Sequence, residues 1–253
     1  MSGLVLRLAA PLQSWGEHSA FADRDTLRFP TRSGLIGLFA SAQGMRRGES
    51  LSRYDPLRLT VRVDRPGITL SDFHTVGGGR ARNGTVLTAE GGRRSPATAT
   101  IVTRRHYLSD AVFVVAVEGE DEVLQPLAAA LAKPHWQPYL GRRSCPPDQP
   151  LLLRAGAGDP VGDLATKVPV PRHLRRDPDG GVHPGELDFV FEGARDDATV
   201  MTELADVPDS FARLDRRYRT RAVSVTAQPV PGELWIGRPQ DYREALFTYM
   251  EEP

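Results

Sequence analysis

Gln13, Ser14, Trp15, Arg24, Arg28, Thr31, Arg32 and Ser33 fall in one stretch that runs into an apolar, helix-like segment. Where a helix begins, unpaired backbone N–H groups and the positive end of the helix dipole attract anions. Arginine forks at such a mouth can hold phosphate through charge-assisted bonds, and an indole such as Trp15 offers a face to an unstacked base. The same residues also fit a plainer arrangement, with Thr31 or Ser33 as N-cap and Trp15 as a loop anchor. A second basic spot is LGRRSCP, where Gly141, Arg142 and Arg143 form a turn whose amides and guanidinium groups could grip a sugar-phosphate backbone. Two solvated arginines on a glycine turn are the alternative there.

His106 sits in RRHY beside Arg104, Arg105 and Tyr107. A metal-independent ribonuclease needs only a base for the 2′-OH, an acid for the leaving oxygen and a cation for the phosphate, and His106 with Tyr107 or Tyr54 could supply the first two. A surface histidine on a strand is the other reading. The six histidines, at 18, 74, 106, 135, 173 and 183, show no metal-ligand spacing, and Cys145 is the only cysteine, which excludes an intramolecular disulfide and a thiolate zinc site. With no base beside it in sequence, Cys145 reads as a small packed residue. Walker, GxSxG, RNP1 and strand-following GxGxxG motifs are absent, GGGRARNG is only loosely like a phosphate loop, and no cofactor is expected.

The elements that must carry these residues follow from periodicity. Leu4, Leu6 and Leu8 alternate with Val5, Arg7 and Ala9 as a first strand ended at Pro11. A loop to Pro30 precedes the helix TRSGLIGLFASAQG, which Gly44 terminates and along which Gly34, Gly37 and Ser41 form a small-residue stripe open to a close backbone. Leu57 to Asp64 alternates as a half-buried strand with a charged outer face. Residues 72–104 are rich in Gly, Ser, Thr and Arg and poor in large apolar side chains, which predicts a long projecting hairpin. Ala111 to Val117 reads as a strand buried on both faces, Asp121 to Ala132 as a helix containing Pro126, and Leu151 to Arg154 as a last strand. The order predicts an α+β, ferredoxin-like domain over 1–155. After it, loops such as AGAGDPVGD and DPDGGVHPGE, with strands at Leu187 to Phe191 and Ala222 to Val225, predict a smaller β-rich C-terminal lobe over 156–253.

The 253 residues carry 32 basic and 32 acidic side chains, and this zero net charge argues against strong, indiscriminate binding of long nucleic acid. The sum hides a split: residues 1–110 hold sixteen arginines against nine acids, and the remainder sixteen basic residues against 23 acids. Such asymmetry points to a polyanion on one face and a protein partner on another. The bias of arginine over lysine has a simpler source in a GC-rich genome. No signal-peptide core is visible and the longest apolar runs are too short to span a bilayer, so a cytoplasmic location is expected.

The blocks LRLAAPLQSWG, FPTRSGLIGLFASAQG, DFHTVGGG, RRHYLSDAVFVVAV and KPHWQPYLGRRSCP, in this order, resemble the CasD family of type I-E CRISPR Cascade complexes over roughly the first 155 residues. The resemblance implies an RRM-like repeat-associated (RAMP) fold in which residues 72–104 form a β-hairpin thumb. It implies a non-catalytic subunit that holds the 5′ handle of the crRNA and contacts a neighbouring backbone subunit and the large subunit in antiviral defence. By that analogy Trp15 sits near a base, while Gln13, Ser14, Arg24, Arg28, Thr31, Arg32, Ser33, His74, Arg80, Arg104, Arg105, Gly141, Arg142 and Arg143 bind RNA. An endoribonuclease acting on CRISPR repeats and a protein-only scaffold are the competing classes.

Overall fold

The alternation at the amino terminus becomes β1 (Ser2–Ala9), the strand next to one edge of a seven-stranded sheet in this computed structural model. The structure describes residues 2–17, 22–88, 91–174, 185–213 and 215–252; His18, His183 and most of the DPDGGVHPGE loop lie outside these. Two short strands, β2 (Leu12–Gln13) and β3 (Asp23–Arg24), interrupt the loop before α1 (Arg32–Ala42). Then come β4 (Arg58–Arg65), β5 (Ile68–Val76), β6 (Ile101–Ser109), β7 (Val112–Gly119), α2 (Asp121–Ala132) and β8 (Leu152–Ala157). The chain continues through α3 (Pro160–Thr166), β9 (Gly185–Glu192), β10 (Val200–Phe211), β11 (Arg216–Val230) and α4 (Pro239–Glu251).

Strand order in the large sheet is β10-β11-β9-β4-β7-β1-β8, and every neighbouring pair is antiparallel. β1 and β4 therefore run parallel on either side of β7, and β7 and β8 run parallel on either side of β1. With α1 and α2 as the crossovers, this is the split β-α-β pair of a ferredoxin-like domain, as the sequence order predicts. The helix ends also follow the sequence: Thr31 Oγ1 accepts from Gly34 N–H, and Gly44, at φ +74°, closes the helix. There the N–H groups of Gly44 and Met45 donate to Ser41 and Ala40 carbonyls, the two bonds of a Schellman cap.

Both sheet faces are covered. Phe113, Val115 and Val117 of β7 point into a core under α1 and α2, while Val114 and Ala116 point into a second core with Leu164, Phe189, Tyr242, Leu246 and Tyr249 under α3 and α4. The charged outer face expected for β4 is corrected by this second layer. Arg62 and Asp64 are fully buried, with Arg62 Nε donating to Asp64 Oδ1 at 2.6 Å and its Nη atoms donating to the carbonyls of Leu164, Val168 and Pro169. A guanidinium that takes up carbonyls in the last turn of a short helix and just beyond it satisfies groups that would otherwise be buried unpaired.

The C-terminal β-content is present, but its strands join the existing sheet: β9 pairs with β4 through Val61, Arg62 and Val63, and β11 and β10 extend the edge. Residue 155 lies inside β8. α3, β10 and α4 were not among the expected elements, and the stretch AGAGDPVGD, expected as a loop, holds the end of β8 and the start of α3. Pro208 and two register shifts break the period of β10, and α4 shows its apolar face, Tyr242, Leu246 and Tyr249, between charged residues.

The thumb is longer than 72–104. β5 and β6 pair from Ile68↔Ser109 to Val76↔Ile101, so the hairpin prolongs β4 and β7 beyond a bend. The bend is built from Gly67 (φ +73°) and Asp110 (φ +56°), and Arg65 Nη1 meets Asp110 Oδ2 at 2.9 Å across it. A Cβ on Gly67 would lie 2.7 Å from the Ser109 carbonyl, so glycine is required there. β6 also receives β2 and β3 on its other edge, which ties the loop before α1 to the thumb base.

Candidate nucleic-acid interface

α1 lies between α2 and β10 and touches both. Its outer side, with Ser33, Gly34, Gly37 and Ser41, floors an open groove of about 840 Å³. One border is the chain after α2, with Trp136, Tyr139, Gly141, Arg142 and Arg143; the other is the β10–β11 hairpin, with Ala205, Phe211, Arg216 and Tyr218. Arg46, Arg47 and Glu49 follow α1 at one end, and Glu17, Arg24 and Asp25 precede it at the other. Six arginines against three carboxylates give the groove a positive balance in a chain of zero net charge.

Among the described residues, Arg46, Arg47, Arg143 and Arg216 make no side-chain hydrogen bond or ion pair. Trp136 and Tyr218 are 43% and 40% exposed. A concave surface that combines unpaired guanidinium groups with open aromatic rings suits a single-stranded polyanion whose bases can stack.

The LGRRSCP turn is positioned tightly. Gly141 has φ +81°, and a Cβ there would fall 1.6 Å from the Ser14 carbonyl oxygen, so the turn fits against the loop only as glycine. Ser14 N–H donates to Leu140 O, and Cys145 closes the turn by donating to Arg142 O while accepting from Leu140 N–H. Cys145 is buried, which raises its thiol pKa, as expected of a packed residue. Arg142 lies 4.7 Å over the Tyr107 ring and donates to the carbonyls of Arg24 and His106, so it pins the turn to β3 and β6. Burial, followed by repulsion from Arg105, pulls its pKa below the ordinary arginine value. Arg143 remains exposed.

Several expected contacts are corrected. Trp15 is 1% exposed: its indole lies under Gly34 and donates to Gln13 Oε1, so no face is open to a base. The close approach that the Gly34 position permits is thus to an indole ring, not to a backbone. Gln13 is wholly buried and donates to the carbonyls of Leu8 and Ala111. Arg32 is turned inward, donating to Glu192 and to the carbonyls of Tyr54, Asp55 and Leu57. Its backbone N–H, a candidate phosphate ligand, donates to Asp206 Oδ2 at 2.6 Å. The chain therefore fills its own helix mouth with a carboxylate, and Thr31, 1% exposed, is the N-cap of the plainer reading.

Ser14, Arg24, Thr31, Ser33, Gly141, Arg142 and Arg143 come together along the groove. Arg28 is exposed but outside its lining, and His74, Arg80, Arg104 and Arg105 belong to the thumb and its base. His74 Nδ1 lies 3.5 Å from Asp72, and Arg105 Nε donates to Thr103. The ribonuclease alternative gathers no shared site: His106 meets Asp23 at 3.2 Å, Tyr107 is buried beneath Arg142, and Tyr54 is buried against Phe39 with its hydroxyl on Gln43. None of the three lines the groove.

Sequence reasoning missed Arg46, Arg47, Trp136, Tyr139, Arg216 and Tyr218. The Arg pair after Gly44, the aromatic HWQPY and the repeated arginines of DRRYRTR are the signals that could have found them.

A family model described as CRISPR-associated protein (Cas_Cas5) matches residues 3–224, most of the chain. The chain belongs to the Cas5 family. This Cas5 chain is 40% identical over 184 residues to the CRISPR system Cascade subunit CasD of Escherichia coli strain K12, a match that covers 67% of this chain and 78% of that one. A solved chain described as part of a CRISPR RNA-guided surveillance complex is 52% identical, with a TM-score of 0.87 over 99% of this chain and 100% of its own. Another, described as a Cas protein, is 29% identical with a TM-score of 0.60 over 94% and 99%. The expected RAMP-type fold agrees with both.

Proposed function

We propose that this Cas5-family chain is a non-catalytic RNA-binding subunit of a Cascade-type surveillance complex, and that its groove along α1 holds the 5′ handle of the crRNA. The observation that carries the proposal is that Arg46, Arg47, Arg143 and Arg216, which have no side-chain partner among the described residues, stand beside exposed Trp136 and Tyr218. A relative named as a Cascade subunit and a structural neighbour from an RNA-guided complex support the setting. The exposed Ile68, Leu70 and Phe73 of the outer thumb strand suit a protein neighbour, the backbone or large subunit, better than solvent. No helix among the described residues is long and apolar enough to cross a membrane, which fits a place in the cytoplasm.

Co-expression with its genomic neighbours should yield a complex whose RNA consists of guide-sized species sharing one 5′ end. Loss of RNA from an otherwise assembled complex after joint substitution of Arg46, Arg47 and Arg143 by alanine is the expected companion result. For the isolated chain, log affinity against log salt should fall with a slope of roughly −3, about 0.7 for each of four arginines on a single strand. Cleavage of repeat RNA in EDTA, abolished by His106→Ala, would instead establish the ribonuclease class.

A further inference from the structure

We propose that the β10–β11 hairpin carries a nucleotide subsite, in which Tyr218 stacks a base of single-stranded RNA and Arg216 holds the adjoining phosphate. The inference rests on the groove being the RNA site and extends it to a part of the chain for which sequence reasoning assigns no role. Alternation along β11 puts Arg216 and Tyr218 on one face and Arg217 and Arg219 on the other. The second face is neutralised within the chain: Arg219 binds Asp209 at 2.7 Å and Asp55 at 3.0 Å, and Arg217 lies 3.4 Å from Asp215. The first face looks into the groove, and there Arg216 has no partner among the described residues.

The wall is anchored to α1 and to the chain after it close to Tyr218. Asp206, wholly buried in the bulge of β10, receives Arg221 at 2.6 Å and the Arg32 backbone N–H, and Arg221 also meets Glu192 at 3.2 Å. Arg219 adds a link to Asp55, beyond the far end of α1. Phe211 contacts the Gly37 position of α1, and Pro208 is the cross-strand partner of Tyr218. A phenol ring at the groove rim, 40% exposed and one position from Arg219, which is tied to Asp209 and Asp55, offers a π-face at little entropic cost. Since any base has a π-face, the subsite takes nucleotides by stacking and charge, with little preference for sequence.

The test uses the full chain and a fluorescein-labelled single-stranded RNA of about eight nucleotides, within the usual span of such sites, together with a series carrying one abasic nucleotide at each position. Wild type should lose affinity most at one abasic position. Tyr218→Ala should weaken binding of the intact RNA at least about fivefold and erase the penalty at that position, Tyr218→Phe should bind as wild type, and Arg216→Ala should reduce the salt slope by roughly 0.7. Unchanged affinity in Tyr218→Ala, or a loss spread evenly over the abasic series, overturns the subsite while the groove reading stands. So does a Tyr218→Ala chain that binds RNA normally but fails to assemble with its protein neighbours, which would make this wall a protein interface. Wild-type chain that binds no RNA overturns both readings.

Discussion

Gly141 and Trp15 show how a residue can shape the candidate groove through its packing. Gly141 combines a left-handed backbone with a carbonyl, Ser14 O, lying where a Cβ would be, and Ser14 cannot retreat because its own N–H is bonded to Leu140 O. Gly141→Ala should therefore cost about 2–5 kcal/mol, from the strained conformation plus the overlap, read as a lower urea midpoint. Arg143 should lose its place beside the groove at the same time. Trp15 was legible as important, since an indole in a polar loop must anchor something. Its role was not legible, because Gly34, nineteen positions later, decides whether that ring is open or covered. A sequence shows the indole but not the cleft that receives it.

At the scale of elements, β10 has the largest effect on the site and the weakest sequence signal. Pro208 and two bulges disrupt its alternation, yet a bulge is what turns Asp206 out of the ladder and toward α1. Asp206 then holds a helix N–H and the Arg221 fork together. Asp206→Asn keeps the shape but removes the charge opposite Arg221, and should destabilise the chain by about 3–5 kcal/mol, as expected when a buried pair loses one partner. Thermal unfolding measures that loss, and Asp209→Asn, at an exposed pair on the same hairpin, should cost no more than about 1 kcal/mol. The ferredoxin-like elements were readable because each has its own periodicity and its own stops, as with Thr31 and Gly44 for α1. The joining of β9 to β4 had no local signal, since pairing between residues such as Val61 and Val190 is a contact across much of the chain.

For the molecule as a whole, two cores share one sheet, and residues from before and after position 155 contribute to both. Tyr54 belongs to the first core and Tyr242 to the second, and burial pushes both hydroxyls up to about 12. An unfolded tyrosine ionises near 10. The folded pKa is the higher one, so the stability these groups protect is complete below pH 10 and is lost as pH rises toward 12. At pH 11 each should cost about 1.4 kcal/mol. Urea midpoints measured from about pH 9 to 11 should fall accordingly, and less steeply in Tyr54→Phe.

The charge split took a different form in three dimensions. Arg142, Arg143 and Arg216 of the acidic half join Arg24, Arg46 and Arg47 in the groove, while Asp163, Glu192, Asp206 and Asp209 neutralise arginines of their own chain. The order of residues by itself determined the periodic elements, their caps, the presence of a projecting hairpin and the arginine-bearing turn at Gly141, because each is set by neighbours a few positions apart. Only the tertiary structure decided which arginines stay free, which aromatic rings stay open and which strand walls the groove. Those properties depend on carboxylates and carbonyls brought in from distant segments, and a guanidinium carries the same charge in the sequence whether it ends beside Glu192 or beside water.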